Sequence, residues 1–174
     1  MENYVTIIDK NYLPQLLVMV KSLLRFSTEL KLWIFCLDNQ CFTELASNST
    51  LQNNCTLVEI EELMTPNLRE AKNNRSIGEF IWTLTPFLPS YIFNKDKTVN
   101  RVTYLDADIY FKKSPKLILD SFSESNKHLL LTPHDFSNNE NISEIVGKFC
   151  VQFLTVTRDA NIFLDWWQSK CIEW

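Results

Sequence analysis

The chain has 174 residues, 45% of them hydrophobic and 22% charged, with a formal net charge of −4. Such a chain suits one soluble globular domain, residues 1–174, and has no overall basic field to attract nucleic acid. Charges or prolines break the apolar runs well short of a transmembrane segment, and "MENYVTIIDK" lacks a secretory signal's basic start and apolar stretch, so the cytoplasm is the expected compartment.

"YVTII", 4–8, is a short apolar run with β-branched residues and predicts a buried strand. The next stretch, 11–26, puts Leu13, Leu16, Leu17, Val20, Leu23 and Leu24 on one helical face, with Asn11 as the expected cap and Pro14 in the first turn. "KLWIFCL", 31–37, predicts a second strand, 41–48 a short helix, and "CTLVEI", 55–60, a third strand. From Ser76 a longer helix is expected, because "SIGE" has the Ser and Glu of a capping box. "RVTYL", 101–105, predicts the fourth strand; 114–122 a helix; 128–134 a strand ending at Pro133; 137–143 a polar loop. The chain closes with an expected strand over 148–156 and an amphipathic helix over 159–174.

Strands alternating with helices predict an α/β fold, a mostly parallel sheet flanked by helices. Ligands of such sheets gather at the carboxyl ends of the strands, where Asp9, Asp38, Asp106 and His134 fall. Only Gly78 and Gly147 are glycines, so neither a dinucleotide fingerprint nor a P-loop is present. Five cysteines without a C-x-x-C, beside two histidines, favour reduced, buried thiols over a structural zinc site.

Asp106 and Asp108 stand out. On extended backbone, side chains at i and i+2 share a face, so both carboxylates can aim at one spot. Like charges that close persist with a cation between them or with good solvation. A hard divalent ion, Mn²⁺ or Mg²⁺, is the natural partner, and a substrate diphosphate can fill its open positions. The plainer alternative is two solvated aspartates in a strand-end turn.

"YLDADIYF" resembles the D-x-D segment of GT-A-fold glycosyltransferases, especially the family 8 type that includes glycogenin and bacterial galactosyltransferases. "IIDKNYLPQLLVMVKSL" is similar to that family's first strand and helix, and "NNRSIGEFIWTLTPFLPSYIF" sits where its nucleotide-contacting helix lies. "LTPHDF" and "FLDWWQSKCIEW" resemble segments of bacterial glycosyltransferase-like proteins. The resemblance implies a GT-A-like, Rossmann-like nucleotide-sugar-binding domain. Its donor would be a nucleotide-sugar, a UDP-sugar, and its acceptor a glycan, lipid or protein.

By that resemblance Asp106 and Asp108 ligate the metal, and Asp106 alternatively bonds the ribose. Asp9, Asn11 and Tyr12 line the base and ribose pocket, with Tyr12 stacking on uracil. Arg75, with Lys72, reaches the diphosphate; Trp82, Thr83 and Thr85 lie near the nucleotide; His134 and Asp135 contact the sugar. Each has an alternative: Asn11 as a helix cap, Tyr12 and Trp82 as core, the basic pair as solvated, His134 as a turn cap. Trp166 and Trp167 read as core or as an acceptor platform. No catalytic nucleophile or base is identified.

Two departures from the family pattern carry expectations. The family's N-x-G segment corresponds here to "FCVQF", with Cys150 in place of the amide. Its D-Q segment and metal-completing histidine would fall beyond Trp174, so the domain is expected to be incomplete at its C-terminal part, or to complete its site another way. Two other functions stand beside glycosyl transfer: a non-catalytic module that binds nucleotide-sugar or a partner, and an aspartyl phosphohydrolase. The latter is disfavoured because "IYF" follows D-x-D in place of Gly-Thr.

Overall fold

Alternation along the first strand organises the molecule. β1 (Glu2–Ile8) sends Val5 and Ile7 to one face of the sheet and Tyr4 and Ile8 to the other, and all four are buried. A strand covered on both faces reads as a continuous apolar run. The computed structural model describes residues 1–27, 29–48, 51, 53–135 and 147–174, so the expected polar loop at 137–143 lies outside the described residues.

After β1 come α1 (Leu13–Leu24), β2 (Leu30–Cys36), α2 (Asn39–Ala46) and β3 (Cys55–Glu59). Then follow α3 (Pro66–Asn74), α4 (Ile77–Leu84), α5 (Phe87–Lys95), β4 (Arg101–Leu105) and α6 (Lys116–Glu124). The chain continues through β5 (Leu129–Pro133), β6 (Phe149–Thr157) and α7 (Asn161–Glu173). The sheet order is β3-β2-β1-β4-β6-β5. β1 to β4 pair in parallel, and only β6 runs against its neighbours. The expected mostly parallel sheet is what forms.

Two cores sandwich this sheet. On one face Leu68, Phe80, Leu84, Leu88, Ile92 and Leu164 bring α3, α4, α5 and α7 against Trp33, Phe35, Val102 and Tyr104. On the other, Leu16, Met19, Leu23, Cys41, Leu45 and Leu119 bring α1, α2 and α6 against Leu32, Ile34 and Leu105. Among the described residues, no helix is long and apolar enough to cross a membrane.

Two elements differ from the sequence expectation. The helix starting after Ser76 is two helices, because Pro86 has no N–H to donate and its ring clashes with the preceding turn. Gln168 of α7 fills the break, donating to the Pro86 carbonyl at 3.0 Å and to Ser90 Oγ at 2.7 Å. Helix α3 has no counterpart among the predicted elements. Its sequence is polar, burying only Leu68 and Ala71, and it starts from a Thr65 cap followed by Pro66.

Candidate functional site

β1, β2 and β4 end on one edge of the sheet, and the segments leaving them are pinned by carboxylates. Asp9 is extended and accepts from Asn11 N and Nδ2, both at 2.9 Å, which starts a turn of 3-10 helix over Lys10–Tyr12. Asp9 thus caps this turn, and α1 itself starts from Tyr12 without a side-chain cap, not from the expected Asn11, whose side chain is spent on Asp9. Asp38 caps α2 by accepting from Cys41 N at 2.8 Å and ties down the neighbouring turn by accepting from Lys10 N at 2.9 Å.

The D-x-D pair is built differently. Asp106 leaves β4 with its N–H bonded to the Gln152 carbonyl at 3.0 Å, and Ile109 N closes a turn onto Asp106 O at 3.3 Å. The two carboxylates thus reach one cavity through a turn, and not through the alternation of an extended strand. The i, i+2 rule applies instead to Tyr104 and Asp106: the buried Tyr104 hydroxyl donates to Asp106 Oδ1 at 2.8 Å.

Asp106 is half-buried and Asp108 exposed. Burial pushes the Asp106 carboxyl above the usual carboxylate range, the Tyr104 hydrogen bond pulls it back, and the charge of Asp108 pushes it up again. Tyr104 is itself held well above an ordinary phenol, first by burial and then by Asp106. Among the described residues, neither carboxylate has an ion-pair partner, and no group of three His, Cys, Asp or Glu forms a metal cage. The donor set is two hard oxygens carrying unneutralised charge. That set fits an oxygen-loving divalent cation whose other positions are filled by ligand oxygens or water.

Two cavities meet at Asp9. One, of about 250 Å³, is lined by Asp9, Tyr12, Trp82, Tyr104, Asp106 and Asp108, among others. The other, of about 510 Å³, has an apolar wall of Leu37, Ile77 and Phe80 and a polar rim that includes Asn11, Asp38, Lys72 and Arg75. Tyr12 is 46% exposed and Trp82 60% exposed, so neither is a core residue. Trp82 lies with its ring centroid 6.4 Å from that of Trp174.

Other candidates are placed elsewhere. The Arg75 guanidinium donates to the carbonyls of Cys171 at 2.6 Å and Ile172 at 3.1 Å, bonds Thr83 Oγ1, and sits 5.5 Å from the Trp174 ring centroid. A cation at the carbonyl end of a helix is favourable, and Arg75 is the anchor of α7. Thr83 and Thr85 are buried and return hydrogen bonds to Glu79 O and Ile81 O. His134 and Asp135 follow β5, at the sheet's far edge, and line neither cavity. Cys150 is half-buried in β6. In α7, Trp167 packs on the core while Trp166 is exposed. The residue that sequence reasoning missed is Tyr104, although its place two before Asp106 on a strand was a usable signal.

Comparison with known proteins decides the family. The sequence model of "Glycosyl transferase family 8" matches residues 3–151. The chain belongs to glycosyl transferase family 8. Two curated proteins of Bacillus subtilis (strain 168) resemble this family 8 chain across 98% of its length. The uncharacterized protein YfnF is 24% identical, with 58% of it covered, and the uncharacterized protein YfnD is 27% identical, with 55% covered. The chain thus spans just over half the length of these curated relatives.

Among solved structures, mouse xyloside xylosyltransferase 1 superposes with a TM-score of 0.62 at 13% identity, covering 98% of this chain and 71% of that one. The galactosyltransferase LgtC, in complex with donor and acceptor sugar analogs, gives a TM-score of 0.62 at 17% identity, covering 98% of this chain and 64% of that one. These likenesses establish the fold as GT-A-like.

Proposed function

We propose that this family 8 chain binds a UDP-sugar together with Mn²⁺ or Mg²⁺, as the donor-binding part of a glycosyltransferase whose acceptor is a glycan, lipid or protein. Residues 1–174 are read as one nucleotide-sugar-binding domain. The observation that carries this reading is the pair Asp106 and Asp108 in one cavity with no cation of the described residues to neutralise them. Family membership sets the aspartyl-phosphohydrolase reading aside. The five free thiols accord with a reducing cytoplasm.

Asp106 and Asp108 would hold the cation. When bound, it supplies a Lewis acid for the charge that develops on the departing diphosphate. The chain's own residues do the rest. Asp9 and the turn it caps form the septum between the two cavities, where a ribose would bridge them. The apolar wall of Leu37, Ile77 and Phe80 suits a base, and the Tyr12 and Trp82 rings offer faces for stacking. Reaching the diphosphate would cost Arg75 its carbonyl partners on α7, so Lys72, on the same cavity, takes the basic role. His134 keeps the sugar-contacting role that the family resemblance gives it.

Titration calorimetry of UDP with Mn²⁺ or with chelator tests this, and the affinity is expected to collapse in chelator. Equal affinity in both would sink the metal bridge. A non-catalytic module remains the second reading, favoured by the absence of a third protein ligand among the described residues. Nucleotide binding without UDP release or acceptor glycosylation by the full-length protein would establish it.

A further inference from the structure

We propose that Tyr104 is a positioning residue for the cation: its buried hydroxyl holds Oδ1 of Asp106 and so leaves Oδ2 as the oxygen open to a ligand. This rests on the metal-nucleotide reading above and extends it to a residue that acts through Asp106 and not as a ligand of the cation.

Tyr104 is 3% exposed and belongs to the apolar cluster beneath α4 and α5. A phenylalanine would fill that volume equally well, so packing does not account for the hydroxyl. A buried phenol needs a hydrogen-bond partner, and the one it donates to is the metal-site carboxylate, at 2.8 Å. Among the described residues, Tyr104 is also the only donor to that carboxylate.

Thr85, buried nearby, spends its own hydroxyl proton on Ile81 O at 3.0 Å, which leaves the Tyr104 proton to Asp106. Asp106 follows the last residue of β4, and although its backbone N–H is still tied to Gln152 O, its side chain rotates freely unless something fixes it. Outer partners that orient a ligating carboxylate affect metal affinity without entering the coordination sphere.

The test is a cycle of Tyr104→Phe, Asp106→Asn and the double variant, titrated with UDP in Mn²⁺ and in chelator, with thermal melting as the fold control. Tyr104→Phe should melt cooperatively, bind UDP in chelator as the wild type does, and lose about tenfold in Mn²⁺-dependent affinity. In the Asp106→Asn background the same change should have no further effect, because Tyr104 acts through that carboxylate. Wild-type affinity in Tyr104→Phe, or an equal loss in both backgrounds, overturns the inference, the latter by marking Tyr104 as merely structural. Tyr104→Met, which also lacks the hydroxyl and fills the volume with a flexible side chain, should lower Mn²⁺-dependent affinity in the same direction. It decides the matter if Tyr104→Phe fails to fold, and wild-type affinity there would overturn the inference. A wild type indifferent to Mn²⁺ would instead overturn the metal reading, and this inference with it.

Discussion

The two ends of the sheet make opposite use of charge. At the amino end of β4, Arg101 bonds Glu2, the Leu119 carbonyl at 3.0 Å and Ser123. Arg158 gives its donors to the carbonyls of Phe93, Asp96 and Val99. His128 meets Thr157 Oγ1 at 3.0 Å. At the carboxyl end, Asp106 and Asp108 have no cation of the described residues between them. Yet the larger cavity, of about 710 Å³, lies at the amino end. Size is a poor guide here. What singles out the carboxyl end is electrostatic demand that the fold leaves unmet, as is usual where charged groups are kept for a ligand.

The widest test of that contrast removes the demand. Asp108→Asn takes one exposed carboxylate from the site without touching the core. Calorimetry should show Mn²⁺-dependent UDP affinity falling about 100-fold or more, beyond what losing an outer-shell partner typically costs. The melting temperature should hardly move. Unchanged affinity and metal dependence would move the site elsewhere.

The complementary change breaks the opposite end. Arg101→Ala removes the partners of Glu2, Ser123 and the Leu119 carbonyl at once, and the Arg101 side chain is only 19% exposed. A loss of about 2–3 kcal/mol in urea unfolding is expected, below the range for a fully buried pair because Glu2 is partly solvated. UDP affinity should stay as it was. A large loss of affinity would mean that the two ends are coupled.

Asp106→Asn sharpens the contrast, since the site residue should be a burden on the fold. Its folded carboxyl is raised by burial, so ionisation opposes folding at neutral pH. An asparagine can still accept from Tyr104 but carries no charge. It should be more stable than the wild type at pH 7. The sign follows from the direction of the shift: the folded state holds the proton more tightly than the unfolded one. The variant's advantage therefore shrinks as pH falls through the raised folded value, and is gone below the unfolded value of about 3.9. Melting curves from pH 7 to pH 3 check this, and a destabilised Asp106→Asn at neutral pH would refute it.

The strands and the carboxylates that follow them were legible because β-branched apolar runs end abruptly in Asp or His, a local signal. The break at Pro86 was an equally local signal, but the expectation of one longer helix passed over it. Helix α3 was not legible, because nine mostly polar residues that bury two side chains give almost no period. The destination of Arg75 was not legible for another reason: its carbonyl partners lie 96 and 97 residues further along the chain. Short-range reading sees a basic residue before a helix and cannot see α7 arriving above it. Trp82 shows the same limit, since an apolar helix predicts a core tryptophan and only the packed sheet reveals which face is left open.

The smallest effect expected is at the start of α4, midway between the two ends in its electrostatics. Ser76 Oγ accepts from Glu79 N at 3.4 Å, while Glu79 Oε2 accepts from Ser76 N at 2.8 Å and Ser76 Oγ at 2.7 Å. These bonds, the hydroxyl's first, hold the Glu79 carboxyl below the usual range. Here the carboxylate is satisfied by the fold, as Glu2 is, but it stands beside the cavity that Gly78, Ile81 and Trp82 line. Ser76→Ala should cost about 1 kcal/mol at neutral pH, the usual loss for a helix cap. A depressed folded value means that Glu79 stabilises the fold above the unfolded value of about 4.3 and ceases to do so as pH falls through the folded one. The gap between wild type and Ser76→Ala should therefore narrow in acid, whereas a cap acting only through the Ser76 hydroxyl would keep it constant. UDP affinity in Mn²⁺ should match the wild type, because the lost bonds secure the helix start and leave Trp82 and the D-x-D turn in place. A variant of wild-type stability that binds UDP more weakly would instead make the capping pair part of the ligand site.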